Sequence, residues 1–256
     1  MAITLKSKGK SNSTIKSGTN TRPYYILGEN SSFAVSEAYK NVRTNLQFVS
    51  NEDGCNIIAI TSSVPTEGKT ISCINIAVCL AQSEKKVLII DADMRKPQIA
   101  STLGLNQSNG LSELLTGLVK MNRDDVLATC QKTSIENLDA ISSGKIPPNP
   151  AELLGGKRLP AIIEILAKEY DYIMIDTTPV LVVTDALVLR PHIHGYIVVA
   201  RAGESKLNAL KETIRRLNQV EANICGFLLN GKKEKSGSKY GRYGKYGKYA
   251  KYGYGK

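Results

Sequence analysis

An α/β domain built on a doubly wound, mostly parallel sheet with helices on both faces is the fold class this 256-residue sequence predicts. Two observations carry it. Apolar strand-length runs alternate with helix-length segments over residues 31–230, the rhythm of β-α units. The runs NIIAIT, KVLIID, YIMID and GYIVVA are continuous in apolar residues rather than alternating, which marks strands covered on both faces.

The elements follow in order. Residues 33–49 place Phe33, Ala34, Ala38, Val42, Leu46 and Val49 at three- and four-residue spacing, an amphipathic helix. Asn56–Thr61 is a buried strand, Lys69–Ser83 a helix and Lys86–Asp91 a second strand. Leu111–Thr116 and Arg123–Cys130 are short helices, with Leu138–Ile141 a short strand after them. Ala161–Lys168 is a helix leading into the strand Tyr172–Asp176. Asp185–Arg190 is helical, Gly195–Ala200 a strand, Leu207–Val220 a helix and Ile224–Asn230 the last strand.

The charge is uneven. Residues 1–30 carry +4 and residues 232–256 carry +8, so the body between them sums to −1 of the total +11. Residues 1–30 are expected to be a disordered basic arm and residues 231–256 a disordered tail. Five scattered cysteines lack metal-ligand spacing and read as reduced thiols. No apolar run reaches the roughly twenty residues a bilayer span needs, which predicts an intracellular chain with any membrane role supplied by a partner. His192 and His194 have no nucleophile motif beside them and read as ordinary loop or helix-end histidines.

The first strand runs into Ser63, Val64, Pro65, Thr66, Glu67, Gly68, Lys69 and Thr70, then a helix. That is the strand–loop–helix setting of a P-loop, whose backbone N–H groups and helix dipole cradle phosphates. Lys69 would reach the β- and γ-phosphates, and the Thr70 hydroxyl would coordinate Mg²⁺. Ser63 stands where a first glycine is usual. The bland alternative is a plain glycine-containing turn.

Two later strands end in carboxylates, VLIIDADMRKP with Asp91 and Asp93, and IMIDTTP with Asp176. In a parallel sheet the carboxyl ends share one edge, so all three should converge on Lys69 and Thr70. Helix capping explains either of the first two singly, but not both together with Asp176.

This combination resembles the bacterial tyrosine kinase family. The resemblance rests on PTEGKT, on VLIIDADMRKP and IMIDTTP, on SGKIPPNPAELL at 143–154, on GFLLN, and on the tail YGRYGKYGKYAKYGYGK. It implies a P-loop kinase that uses ATP and Mg²⁺. Asp91 would take the proton of the incoming tyrosine, while Asp93 and Asp176 would hold Mg²⁺ through waters. Asn230 would lie near the adenine. Tyr240, Tyr243, Tyr246, Tyr249, Tyr252 and Tyr254 would be autophosphorylated. Glu37, Lys40 and Arg43 stand at the family's E-x-x-R-x-x-R element, which faces a neighbouring subunit of a ring; Lys40 replaces its middle arginine. An ordinary exposed helix face with Glu37–Lys40 pairing reads nearly as well. The family further implies a transmembrane activator, a cognate tyrosine phosphatase, protein tyrosine substrates, a place at the inner face of the membrane, and a role in capsule or exopolysaccharide synthesis.

Two rival readings remain open in the sequence. A partitioning-type or cell-division-site ATPase shares the fold, but it carries a lysine where this chain has Val64. A nucleic-acid or membrane-surface binder would use the Lys/Tyr tail and leave the phosphate loop idle; no specific nucleic acid is expected.

Overall fold

The computed structural model describes residues 2–6, 26–28, 31–49 and 54–232. Strand β2 (Asn56–Ser62) is buried along its whole length. It pairs in parallel with β6 (Tyr172–Asp176) on one side and β7 (Gly195–Arg201) on the other. Those two neighbours are what its uninterrupted apolar run requires. β3 (Val87–Asp91) pairs with β6, and β5 (Leu138–Ile141) with β3, both in parallel. β8 (Ile224–Lys232) extends the sheet beyond β7.

Two strands lie outside the expected set. Gln131–Lys132 forms β4, an antiparallel edge pair with β5. Ala2–Lys6 forms β1, parallel to β8 from Ala2 opposite Phe227 to Lys6 opposite Lys232. The expectation of an unstructured arm over residues 1–30 is corrected there: β1 covers an edge that β8 would otherwise leave unpaired. Leu27 is buried too, its N–H donating to Asn75 Oδ1 at 2.8 Å. The eight strands run in the order β1-β8-β7-β2-β6-β3-β5-β4.

Alternate residues of the strands face two helix layers. Ile58, Ile60, Ile89, Met174 and Val199 meet α1 (Phe33–Val49) and α2 (Lys69–Ala81). Helix α2 is buried from Ser72 through Ala81 because it lies between the sheet and α1. On the opposite face Leu88, Ile90, Ile173 and Ile175 meet α4 (Leu111–Thr116) and α7 (Arg158–Ala167), with α5 (Arg123–Leu127) packed alongside. Ala59, Tyr196 and Val198 lie in a third cluster with α8 (Asp185–Val188) and Leu217 of α9 (Leu207–Gln219). Helix α7 begins before the expected residue 161 because Pro160 falls in its first turn, where a missing N–H costs nothing. Two further short helices are α3 (Ile99–Leu103) and α6 (Pro150–Leu154).

Candidate nucleotide site

The chain leaves β2 and crosses to β3 by way of α2, passing over β6, and later returns to β7 on the other side of β2. The connections therefore part around β2 and β6, and the crevice beyond their carboxyl ends is where parallel α/β sheets bind ligands. Residues 63–68 line it. Gly68 adopts φ +95°, and a Cβ built there would lie 2.1 Å from Asn230 Nδ2. Only glycine fits a backbone that is both left-handed and this closely approached. Thr66, at φ 69°, shares the left-handed turn. Among the described residues no protein acceptor takes the N–H groups of Thr66 through Thr70, and α2 aims its N-terminal dipole into the same space.

The charged groups converge as expected. Asp91 and Asp176 are direct neighbours across the β3–β6 pairing. Lys69 Nζ donates to Asp93 Oδ2 at 2.7 Å and lies 3.9 Å from Asp176 Oδ1. Thr70 Oγ1 donates to Asp176 Oδ2 at 2.6 Å. Burial works against the Lys69 charge, but the fields of Asp176 and Asp93 outweigh it and raise its pKa. Asp91 is fully buried. Its Oδ1 accepts the Asp93 N–H at 3.2 Å, and its Oδ2 accepts those of Gln98 and Ile99 at 3.1 and 3.0 Å. Burial first, then the Asp176 charge, push the Asp91 carboxyl well above the usual range. Asp176 is likewise pushed up by burial, with Lys69 and the Thr70 hydroxyl opposing.

The residues fit a nucleotide-bound divalent cation. Asp176 Oδ1 is buried without a hydrogen-bond partner beside the Thr70 hydroxyl. Among the described residues no group of three or more His, Cys, Asp or Glu side chains could hold an ion unaided. Thr70 and Asp176 could share an ion with phosphate oxygens and waters, the way P-loops hold Mg²⁺.

Several residues take contacts that the sequence did not specify. The Glu67 side chain folds back on its own loop: its Oε2 accepts the N–H groups of Ser63 and Val64 at 2.8 and 3.0 Å. Arg95 forms a two-pronged pair with Asp185, at 2.7 and 3.0 Å, tying the turn after β3 to α8. Glu113, buried at the start of α4, accepts the N–H groups of Gly110 and Lys145 and so anchors the loop at 143–154. Asn230 borders the phosphate loop, with Nδ2 3.4 Å from the Glu67 carbonyl. On α1, Lys40 pairs with Glu37 at 2.8 Å, while Arg43 reaches the Cys79 carbonyl at 3.4 Å. His194 Nδ1 accepts the Ile57 N–H at 3.2 Å, a strand-end brace. The six tail tyrosines lie outside the described residues.

The family model for an AAA domain matches residues 55–226. Tyrosine-protein kinase YwqD of Bacillus subtilis is 35% identical over 206 residues, which cover 80% of this chain and 85% of that protein. The chain belongs to the bacterial tyrosine kinase family. A tyrosine-protein kinase of a cps region of Klebsiella pneumoniae is 36% identical over 87% of the chain. This chain spans only 30% of that relative's length. The solved kinase domain of Escherichia coli tyrosine kinase ETK superposes with a TM-score of 0.77 at 32% identity, covering 88% of this chain and 86% of that one. MinD of Pyrococcus horikoshii, solved with Mg-ADP, reaches 0.56 at 25% identity over 68% of this chain and 70% of its own. The cell-division ATPases are thus a distant relation of this kinase family member, sharing its nucleotide-binding fold. Among the described residues no helix is long and apolar enough to cross a membrane.

Proposed function

We propose that this chain binds ATP with Mg²⁺ and transfers the γ-phosphoryl group to tyrosine hydroxyls, those of its own C-terminal cluster among them. One observation carries the reading: Lys69, Thr70, Asp93 and Asp176 meet within bonding distance at the ends of three adjacent strands, in a chain of this family. The segment over residues 31–230 would be the kinase domain and residues 231–256 its substrate tail.

The backbone N–H groups of Thr66 through Thr70 would hold the phosphates, and Lys69 would exchange Asp93 for the β- and γ-oxygens. When bound, Mg²⁺ supplies charge neutralisation of the phosphate oxygens, held by Thr70 and, through waters, by Asp93 and Asp176. A phenol ordinarily keeps its proton to a pH of about 10 and must lose it as it attacks. Asp91 would accept that proton on Oδ1, the oxygen with a single long hydrogen bond. The tyrosine oxygen forms a bond to phosphorus as the bond to the β-phosphate oxygen breaks, and ADP leaves. Burial raises the proton affinity of the Asp91 carboxylate, which favours its taking the phenol proton.

Asn230 would border the adenine. Glu37, Lys40 and Arg43 would face a neighbouring subunit in a ring, so that one subunit's tail reaches the next subunit's site. A transmembrane partner would hold the chain at the inner face of the membrane and activate it, a cognate phosphatase would reset the tail, and the output would be control of capsule or exopolysaccharide synthesis. Support for that context is the cps region in the printed name of one relative.

Asp91→Asn tests the chemistry while keeping an acceptor for the Gln98 and Ile99 N–H groups, which alanine would strand. Phosphotransfer should fall by about 100-fold or more with nucleotide affinity retained. Full turnover in Asp91→Asn, with turnover lost in Asp93→Asn, would move the base to Asp93.

A further inference from the structure

The segment from Arg201 at the end of β7 to Thr213 in α9 reaches the phosphate loop at three residues. Ser205 Oγ accepts the Arg201 N–H at 2.6 Å and donates to Glu67 Oε1 in a short bond. Arg201 Nη1 donates to the Thr66 carbonyl at 3.1 Å. The fully buried Thr213 hydroxyl is hydrogen-bonded to Ser63 Oγ at 2.9 Å. With its other oxygen on the Ser63 and Val64 N–H groups, Glu67 has both carboxylate oxygens engaged by partners other than the N–H groups of Thr66 through Thr70.

This arrangement answers an electrostatic problem. Glu67 is an anion two residues before Lys69, in a loop whose purpose is to receive anions, and it is almost fully buried. Released from its partners, it would repel phosphate oxygens or claim the same N–H groups. Thr66, β-branched and at φ 69°, also needs support from outside the loop to keep its left-handed turn.

We propose that Ser205 and Thr213 are positioning residues for nucleotide binding. They act through Glu67 and Ser63, and they make the β7–α9 segment a support that sets phosphate affinity. The inference rests on the reading of this loop as the nucleotide site.

The test is titration of the full chain with MgADP, alongside melting without nucleotide. Ser205→Ala should weaken MgADP by about tenfold, the loss expected of one hydrogen bond to a charged group. Ser205→Thr, which keeps the hydroxyl, should restore binding. Adding Glu67→Gln to Ser205→Ala should recover part of the loss, because the repelling charge is gone. Thr213→Val should weaken MgADP in the same direction, a second readout should Ser205→Ala fold poorly. MgADP affinity within twofold of wild type in both Ser205→Ala and Thr213→Val would overturn the proposal, as would a fall in melting temperature with affinity intact. Absence of MgADP binding by the wild-type chain would instead refute the nucleotide reading itself.

Discussion

Lys69 pairs with two of three buried aspartates, Asp93 at 2.7 Å and Asp176 at 3.9 Å. Even with Lys69 present, burial and the Asp176 charge hold the Asp91 carboxyl up to about 8. The folded state therefore binds a proton that the unfolded chain releases near its ordinary value of about 4. A raised folded value means stability fully present below that ordinary value and lost as pH rises toward the folded one. Without nucleotide and with Mg²⁺ chelated, wild-type stability should fall between about pH 5 and 8, and more steeply than that of Asp91→Asn. Denaturant unfolding at both ends of that range checks it; parallel slopes in the two proteins would contradict the assignment. Asp91, Asp93 and Asp176 were legible in the sequence because each closes or follows an unbroken apolar strand, and parallel pairing brings strand ends together. The roles of Glu67, Arg95 and Glu113 were not. Their partners Ser205, Asp185 and Lys145 lie far along the chain, on segments whose placement no local pattern specifies.

Among the elements, the turn from β2 into α2 decides whether phosphate can enter. Gly68→Ala must force a side chain into a left-handed residue whose Cβ would meet the Asn230 amide. The strain is on the order of 1–3 kcal/mol, and Asn230 must move away. MgADP affinity should fall at least tenfold while the far-ultraviolet spectrum is unchanged, because α2 itself is held by burial against the sheet and α1. Equal affinity in the variant would mean that the phosphates lie elsewhere. The long elements could be read directly, since NIIAITS and GYIVVAR repeat their signal over seven residues each. Three short ones could not. α3 and α6 have five residues each and β4 has two, too few for a helical or strand period to show. β1 escaped notice for another reason: it gains its stability from pairing with β8, a partner more than two hundred residues away.

For the whole molecule, the division between a nearly neutral body and a +8 tail would give the proposed phosphorylation its leverage. Each phosphotyrosine adds about −1.5 to −2 charges, so six would bring the tail to roughly −1 to −4. An assembly held by basic tails against acidic surfaces should then come apart and should already be salt-sensitive beforehand. In the proposed assembly α1 would be the contacting face, with Phe33 and Phe48 exposed at 77% and 83% on either side of the Glu37–Lys40 pair. Sedimentation before and after complete phosphorylation checks this: the unmodified chain should be the larger species. Identical sedimentation would remove the switch.

The most direct measurement is site-resolved mass spectrometry of the full chain incubated with Mg-ATP in the presence of its host's membranes, beside Lys69→Met treated identically. Phosphate is predicted on Tyr240, Tyr243, Tyr246, Tyr249, Tyr252 or Tyr254 in the wild type and on none of them in Lys69→Met. Bare tail tyrosines in the wild type, with ATP turned over to free phosphate, would contradict the account.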